Sequence, residues 1–156
     1  MPMQGELLVF NHENTQLEGP REHNKSSLVS EYTHEVYRPY DAEENKLQGI
    51  RRLTAFTVVK DVDKLSPQLY EMVCKGRNCK KVEVKLYRTA KETGDEEEYF
   101  NYILEDAKVI SVENYMPSSK FAETENIGHL EKVKFLAKSF TWKYLEGGVE
   151  YTEPIV

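Results

Sequence analysis

The chain has 156 residues, with 21 Lys and Arg against 27 Asp and Glu, for a net charge of −6. That length corresponds to one domain, taken as residues 1–156, able to bury about 68–70% of its unfolded surface. The acidic balance leaves no basic footprint for phosphate backbones or anionic lipid, which argues against nucleic-acid binding and direct membrane insertion.

Ten Tyr and six Phe, among many Val, Leu and Ile, favour strands as the main element. The first stretch, MPMQGELLVFNHEN, has no basic n-region, and its apolar run is too short for a secretory leader. The chain is therefore expected to begin in the cytoplasm, and to leave, if it does, by a route that reads the folded protein. No window reaches the length of a transmembrane helix.

Residues 5–10 (GELLVF) read as a short apolar first strand. A polar stretch with a Gly19-Pro20 turn follows. Residues 28–37 then alternate, which predicts a half-buried strand with Leu28, Tyr32 and Val36 on one face. His34 falls on that face too, and Glu31, Thr33 and Glu35 fall on the other. Pro39 ends this strand because it cannot donate to a central ladder.

Residues 39–49 (PYDAEENKLQG) show no apolar periodicity. A loop of this length is unusual between paired strands and is the first segment expected to touch a partner. Residues 50–60 are rich in β-branched and aromatic side chains and predict the next strand.

Residues 64–76 (KLSPQLYEMVCKG) break the β pattern and predict the one helix, about residues 67–75. Ser66 is expected as its N-cap and Pro67 at its first position. Leu65 and Tyr70 are placed to form a hydrophobic staple. Leu69, Met72 and Val73 form a stripe to be buried, and Gly76 is expected to end the helix in a left-handed conformation. Such a short helix is marginal alone and has to be held by packing on a sheet.

Residues 81–88 alternate again, with Val82, Val84 and Leu86 on one face. The Gly94-Asp95 signal predicts a hairpin into a strand over residues 99–104. Further strands are expected over residues 108–115 and 133–144, the latter holding the single tryptophan, Trp142, inside the wall. A polar loop over residues 116–128 lies between them, and a last short strand over 149–152 follows Gly147-Gly148. Seven or eight strands with one helix indicate a mainly β fold of the barrel or sandwich type.

Little in the chain suggests chemistry. His12, His23, His34 and His129 lack metal-ligand spacing, and no nucleophile elbow or phosphate-binding glycine loop occurs. Cys74 and Cys79 lack the spacing of zinc or redox pairs and are expected as reduced thiols. The acidic run over residues 95–98 reads as solvated charge at a hairpin tip. No catalytic residue, metal or cofactor is therefore expected. A monomeric ligand-binding β-barrel and a small hydrolase with an unrecognised site are the rival readings.

The order of particular segments goes further. FTVVKDVDKLSPQLYEMVCKG, VEVKLYR, EYFNYILEDAKVISVENYMP and HLEKVKFLAKSFTWKYLEGGVEY follow one another with compatible gaps. This series resembles the Hcp family, the haemolysin-coregulated proteins that build the inner tube of the type VI secretion system. The most telling pieces are Asp63, Ser66, Pro67, Leu69 and Tyr70 at the helix start, and Thr141, Trp142 and Tyr144 near the end.

The resemblance implies a β-barrel of two sheets with one flanking helix. It implies homohexameric rings that stack into a hollow tube, tipped by a spike protein and expelled by a sheath built on a baseplate. Small effectors ride in the ring lumen, so the tube protein is also their carrier and is itself secreted. No appended effector domain and no enzymatic activity are expected. By position, residues 39–49 match the extended loop that family rings use to reach the adjoining ring. That makes Tyr40, Asp41, Glu43, Glu44 and Lys46 candidates for the ring-to-ring contact.

Overall fold

A computed structural model describes residues 5–22 and 24–155. It is mainly β, with one short helix, as expected. The principal strands are β1 (Gly5–Phe10) and β2 (Ser27–Thr33), followed by four two-residue strands. These are β3 (Val36–Tyr37), β4 (Tyr40–Asp41), β5 (Lys46–Leu47) and β6 (Arg52–Leu53). Next come β7 (Phe56–Asp61), helix α1 (Ser66–Lys75), β8 (Asn78–Thr89) and β9 (Glu96–Tyr115). The chain finishes with β10 (Leu130–Leu136), β11 (Ser139–Tyr144) and β12 (Val149–Pro154).

The large sheet runs β10-β7-β2-β1-β8-β9-β11-β12, and an additional β9–β10 pairing closes six of these strands into a barrel. The closure depends on the length of β9. Its second half pairs with β10 through Lys108–Tyr115, its first half pairs with β11 through Phe100–Glu105, and its opposite edge carries β8. Residues 99–104 and 108–115, expected as two strands, are thus one 20-residue strand. Asp106 in a left-handed conformation (φ 49°) and a bulge near Ile110 bend it without ending it. Conversely, the strand expected over residues 133–144 divides into β10 and β11 where β9 bends. Lys138 N–H donates to Glu105 O at that point (3.1 Å).

Alternation puts Leu7, Val9, Phe56, Val58, Val82, Val84, Leu104 and Phe135 inside, all buried. The expected face of Val82, Val84 and Leu86 is the inward one. β1 lacks alternation because both its faces are covered. Its outward Glu6 is buried and accepts bonds from Arg21 (2.7 Å), Tyr87 (3.0 Å) and Asn24 (3.3 Å).

The strand expected over residues 28–37 is corrected. A bulge between Val29 and Glu31 inserts Ser30, whose hydroxyl donates to Val59 O (2.9 Å). The extra residue changes the side-chain phase, so Val29 rather than Leu28 packs on the core while Tyr32 still does. Leu28 and Val36 are exposed. The strand expected over 50–60 likewise breaks at residues 54–55, separating β6 from β7.

Helix α1 packs against β9, and its Leu69 and Met72 join the buried interior cluster. Ser66 is not its N-cap. Leu65 stands at that position without a side-chain cap bond. In the turn that precedes the helix, Asp63 Oδ1 accepts from Leu65 N–H (2.9 Å) and Ser66 Oγ accepts from Asp63 N–H (3.1 Å). Pro67 stands in the first turn, where a missing donor costs nothing. The staple is also corrected: Leu65 is buried in the core, but Tyr70 is exposed. Gly76 closes the helix with φ 62°, Gly76 N–H donating to Val73 O and Arg77 N–H to Met72 O.

One charged group anchors this corner. Lys60 and Glu131, cross-strand partners on β7 and β10, are both wholly buried with Nζ–Oε1 at 3.2 Å. The same ammonium reaches Asp63 Oδ1 (3.0 Å), Asp61 O (3.2 Å) and Ser66 Oγ (3.4 Å), tying the β7–α1 turn to the barrel. Lys60→Ala is expected to cost about 3–5 kcal/mol by stranding the Glu131 charge. Lys60→Met with Glu131→Leu is expected to recover most of that loss, both measured by urea unfolding.

Trp142 is half-buried: it packs on the core cluster but lies on the part of β11 that has left the barrel, so it is not inside the wall as expected. It stacks between Phe140 (6.2 Å, 13°) and Tyr151 (6.1 Å, 14°). Trp142→Ala is expected to cost about 2–3 kcal/mol by chemical denaturation, less than the ~3–5 kcal/mol of a fully buried tryptophan.

Candidate functional site

Residues 34–55 leave the barrel between β2 and β7 and form a projecting arm. The segment read as a loop over residues 39–49 is a small hairpin built from the β4–β5 ladder, and the β3–β6 ladder pairs the chain on either side of it. At its tip Asp41 Oδ1 accepts from Glu43 N–H (3.0 Å) and Glu44 N–H (3.4 Å). Asn45 supplies the left-handed residue of the turn (φ 54°), a conformation that Asn tolerates. Gln48 N–H donates to Pro39 O (2.6 Å) and closes the next rung.

Register gives the tip two faces. Tyr40 is directly opposite Leu47, and Asp41 is opposite Lys46. One face is thus apolar and the other carries a pair of opposite charges. Tyr40 is 69% exposed, Leu47 63% and the following Ile50 72%, so the apolar side has almost no cover within the chain. Glu43 and Glu44 add exposed negative charge at the turn, with Lys46 3.9 Å from Glu44. The candidate residues Tyr40, Asp41, Glu43, Glu44 and Lys46 therefore sit together at one tip. Leu47 belongs with them, and composition alone gave no sign of it, because a single aliphatic in a polar loop carries no period.

The root of the arm is as ordered as the tip is open. Glu35 N–H donates to Thr54 Oγ1 and Thr54 N–H to Glu35 O, both at 3.0 Å. Arg51 crosses to β12, its Nε donating to Glu153 Oε1 (3.1 Å) and an NH2 hydrogen to Pro154 O (3.2 Å). Tyr151 also donates to Glu153, and these two partners hold the Glu153 carboxyl below its ordinary range. His34 shares the core-facing side with Tyr32, as expected, and enters an aromatic group. Phe56 is 5.1 Å away, Phe140 5.3 Å and nearly parallel, Trp142 5.9 Å, and Tyr102 6.1 Å edge-on.

Elsewhere, the acidic hairpin tip faces a cleft of about 790 Å³ between the β8–β9 and β11–β12 turns. Two of its carboxylates are engaged by Arg88, which takes Glu97 (2.9 Å) and Glu146 (3.0 Å) and lies over the Tyr99 ring (4.9 Å). Cys74 is exposed on α1, Cys79 is buried with its thiol pushed up to about 11 by desolvation, and the two do not form a disulfide. Among the described residues, no helix is long and apolar enough to cross a membrane.

Residues 18–144 match the family model described as "Type VI secretion system effector, Hcp". The chain belongs to the Hcp family of the type VI secretion system. A relative named "Major exported protein" from Pseudomonas aeruginosa is 32% identical over 135 residues, covering 86% of this chain and 76% of the relative. Among solved structures, Hcp1 of the E. coli EAEC 042 pathovar is 29% identical with a TM-score of 0.87, covering 98% of this chain and 99% of that one. Hcp3, a secreted protein of Pseudomonas aeruginosa, shares the fold at 23% identity with a TM-score of 0.80, each chain covered to 99%. The family's fold thus extends over both the barrel and the projecting arm of this Hcp-family chain.

Removing the Arg51 guanidinium tests whether the root is set by that side chain. Arg51→Ala is expected to cost under about 1 kcal/mol in global stability, as for a partly exposed ion pair. Amide exchange over residues 36–53 is nonetheless expected to accelerate several-fold, while β8 and β9 stay protected.

Proposed function

We propose that this chain is the inner-tube subunit of a type VI secretion system. Copies close head to tail into a homohexameric ring, and rings stack through the arm into a hollow tube. A contracting sheath on a baseplate drives the tube outward behind a spike protein, and small effectors travel in the lumen. The protein is assembled in the cytoplasm and then carried out of the cell with the tube. It works as a structural element and carrier, with no cofactor and no catalysis.

Family membership supports the system and the fold. The observation that carries the assembly reading is the arm tip, where Tyr40 and Leu47 form an exposed apolar face beside the Asp41–Lys46 pair, on a root held firmly to the barrel. An apolar centre with a charged margin is the anatomy of a protein–protein contact. A ring needs two different surfaces on each subunit to close, and a third contact along the axis to grow into a tube. A flexible loop would lose entropy on docking, whereas a preformed hairpin has already met that cost.

The rival reading, a monomeric barrel with a ligand in its mouth, requires room inside. Leu7, Phe56, Val58, Leu104 and Phe135 fill the barrel, with Leu65 and Leu69 from the helical segment packed among them. That filled interior favours the tube subunit.

Deleting residues 41–47 is expected to leave rings intact by gel filtration and negative-stain microscopy while abolishing tubes and secretion. Normal tube growth from the deletion would refute the arm's role, and a clean monomer from the unaltered chain would refute the assembly as a whole.

A further inference from the structure

His34 places an imidazole within the aromatic group at the arm root. The chain leaving β2 places its imidazole against Phe56 of β7, Tyr102 of β9, and Phe140 and Trp142 of β11. Both ring nitrogens are buried without a side-chain hydrogen-bond partner, and the Thr54 backbone is the polar group that acts on the ring. One residue later the chain becomes the arm, and the Glu35–Thr54 bonds close its base. We propose that His34 is a proton-operated latch, seating the arm root on the barrel while neutral and releasing it when protonated.

The physical reason is the surroundings. A neutral imidazole fits among aromatic faces, but an imidazolium brings a charge and two N–H donors into a site where, among the described residues, no carboxylate bonds to it. The titratable groups facing the ring are phenols: Tyr102 on β9, and Tyr32 on β2 through its hydroxyl contact with Tyr102 (3.2 Å). β7 and β11 present Phe56, Phe140 and Trp142, which do not titrate. Of the charged residues at the root, Arg51 is committed to Glu153 (2.9 Å), and Glu35 and Arg52 are exposed. Burial lowers the His34 pKa from its usual 6.5, and the opposing pull of the Thr54 backbone is the smaller effect.

The sign follows from the lowered value. Above about pH 6.5 the ring is neutral whether docked or free, and the latch is closed. Below that the free ring takes up its proton first, so opening becomes easier as pH falls, until the docked ring titrates too. One proton limits the gain to about tenfold in the opening constant per pH unit. The Arg51–Glu153 lock does not open in the same range, because Glu153 is held below ordinary carboxylate values. On the tube reading above, the consequence is a stack that loosens in acid.

Amide exchange of the full chain, stepped from pH 7.5 to 5.0 and corrected for intrinsic rates, tests the latch directly. Protection at Glu35 and Thr54 is expected to fall at least severalfold between pH 6.5 and 5.0, while the centre of β8 is unchanged. His34→Phe, which keeps an aromatic ring and cannot titrate, is expected to stay flat. Constant protection in the unaltered chain, or a parallel fall in His34→Phe, would overturn the latch. So would increased protection in acid, the outcome if the aromatic faces stabilised the imidazolium by cation–π attraction. An NMR titration of the His34 ring in the unaltered chain needs no variant, and a titration at or above the usual value would also overturn it. Exchange at the root reads docking whether or not rings stack, so a flat profile rejects the latch alone, and the 41–47 deletion decides the stacking role separately.

Discussion

The architecture depends on one constraint: a single edge of β9 is shared between two strands. Phe100–Glu105 bond to β11, and Lys108–Tyr115 bond to β10. Where those partners part company, Asp106 turns left-handed and the strand bends. One half of β9 closes the barrel against β10, and the other half diverges with β11 and, beyond it, β12. Had β9 ended at residue 104, as a local reading of the sequence suggests, the barrel would lack its closing partner.

The divergence leaves a wedge between the barrel wall and the outgoing sheet, and that wedge needs apolar filling. Phe140 and Trp142 line one side, Phe56 another and Tyr102 the base, while His34 enters from the departing chain. The arm root is therefore packed into the seam of the fold. Arg51 secures the returning strand to β12 in the same region. Rigid seating of the root and exposure of the tip complement each other, since a contact between subunits benefits from a surface that is already shaped.

How much was legible depended on the range of the interaction. Val82, Val84 and Leu86 alternate in sequence and face inward together, because a period of two needs only neighbouring residues. The Leu69–Met72 stripe and the Gly76 terminus follow from helical spacing and positive φ in the same way. Ser66 misled because its hydroxyl does serve the helix start, but as the partner of Asp63 rather than as the cap. Leu28 misled because one inserted residue, Ser30, reverses every face on its side of the bulge. The arm residues were found by position and by resemblance to a family, since Tyr40 and Leu47 meet across a turn that no periodicity announces.

The sequence by itself determined the class of fold, most strand positions, the single helix and the family, because each of these rests on local spacing or on the order of segments. Only the tertiary structure decided that β9 serves two partners, that Lys60 and Glu131 neutralise each other out of water, and that His34 sits in an aromatic seam without a side-chain hydrogen-bond partner. The physical reason is common to all three: pairing, charge burial and desolvation depend on which distant residues meet, and that is set by closure of the barrel.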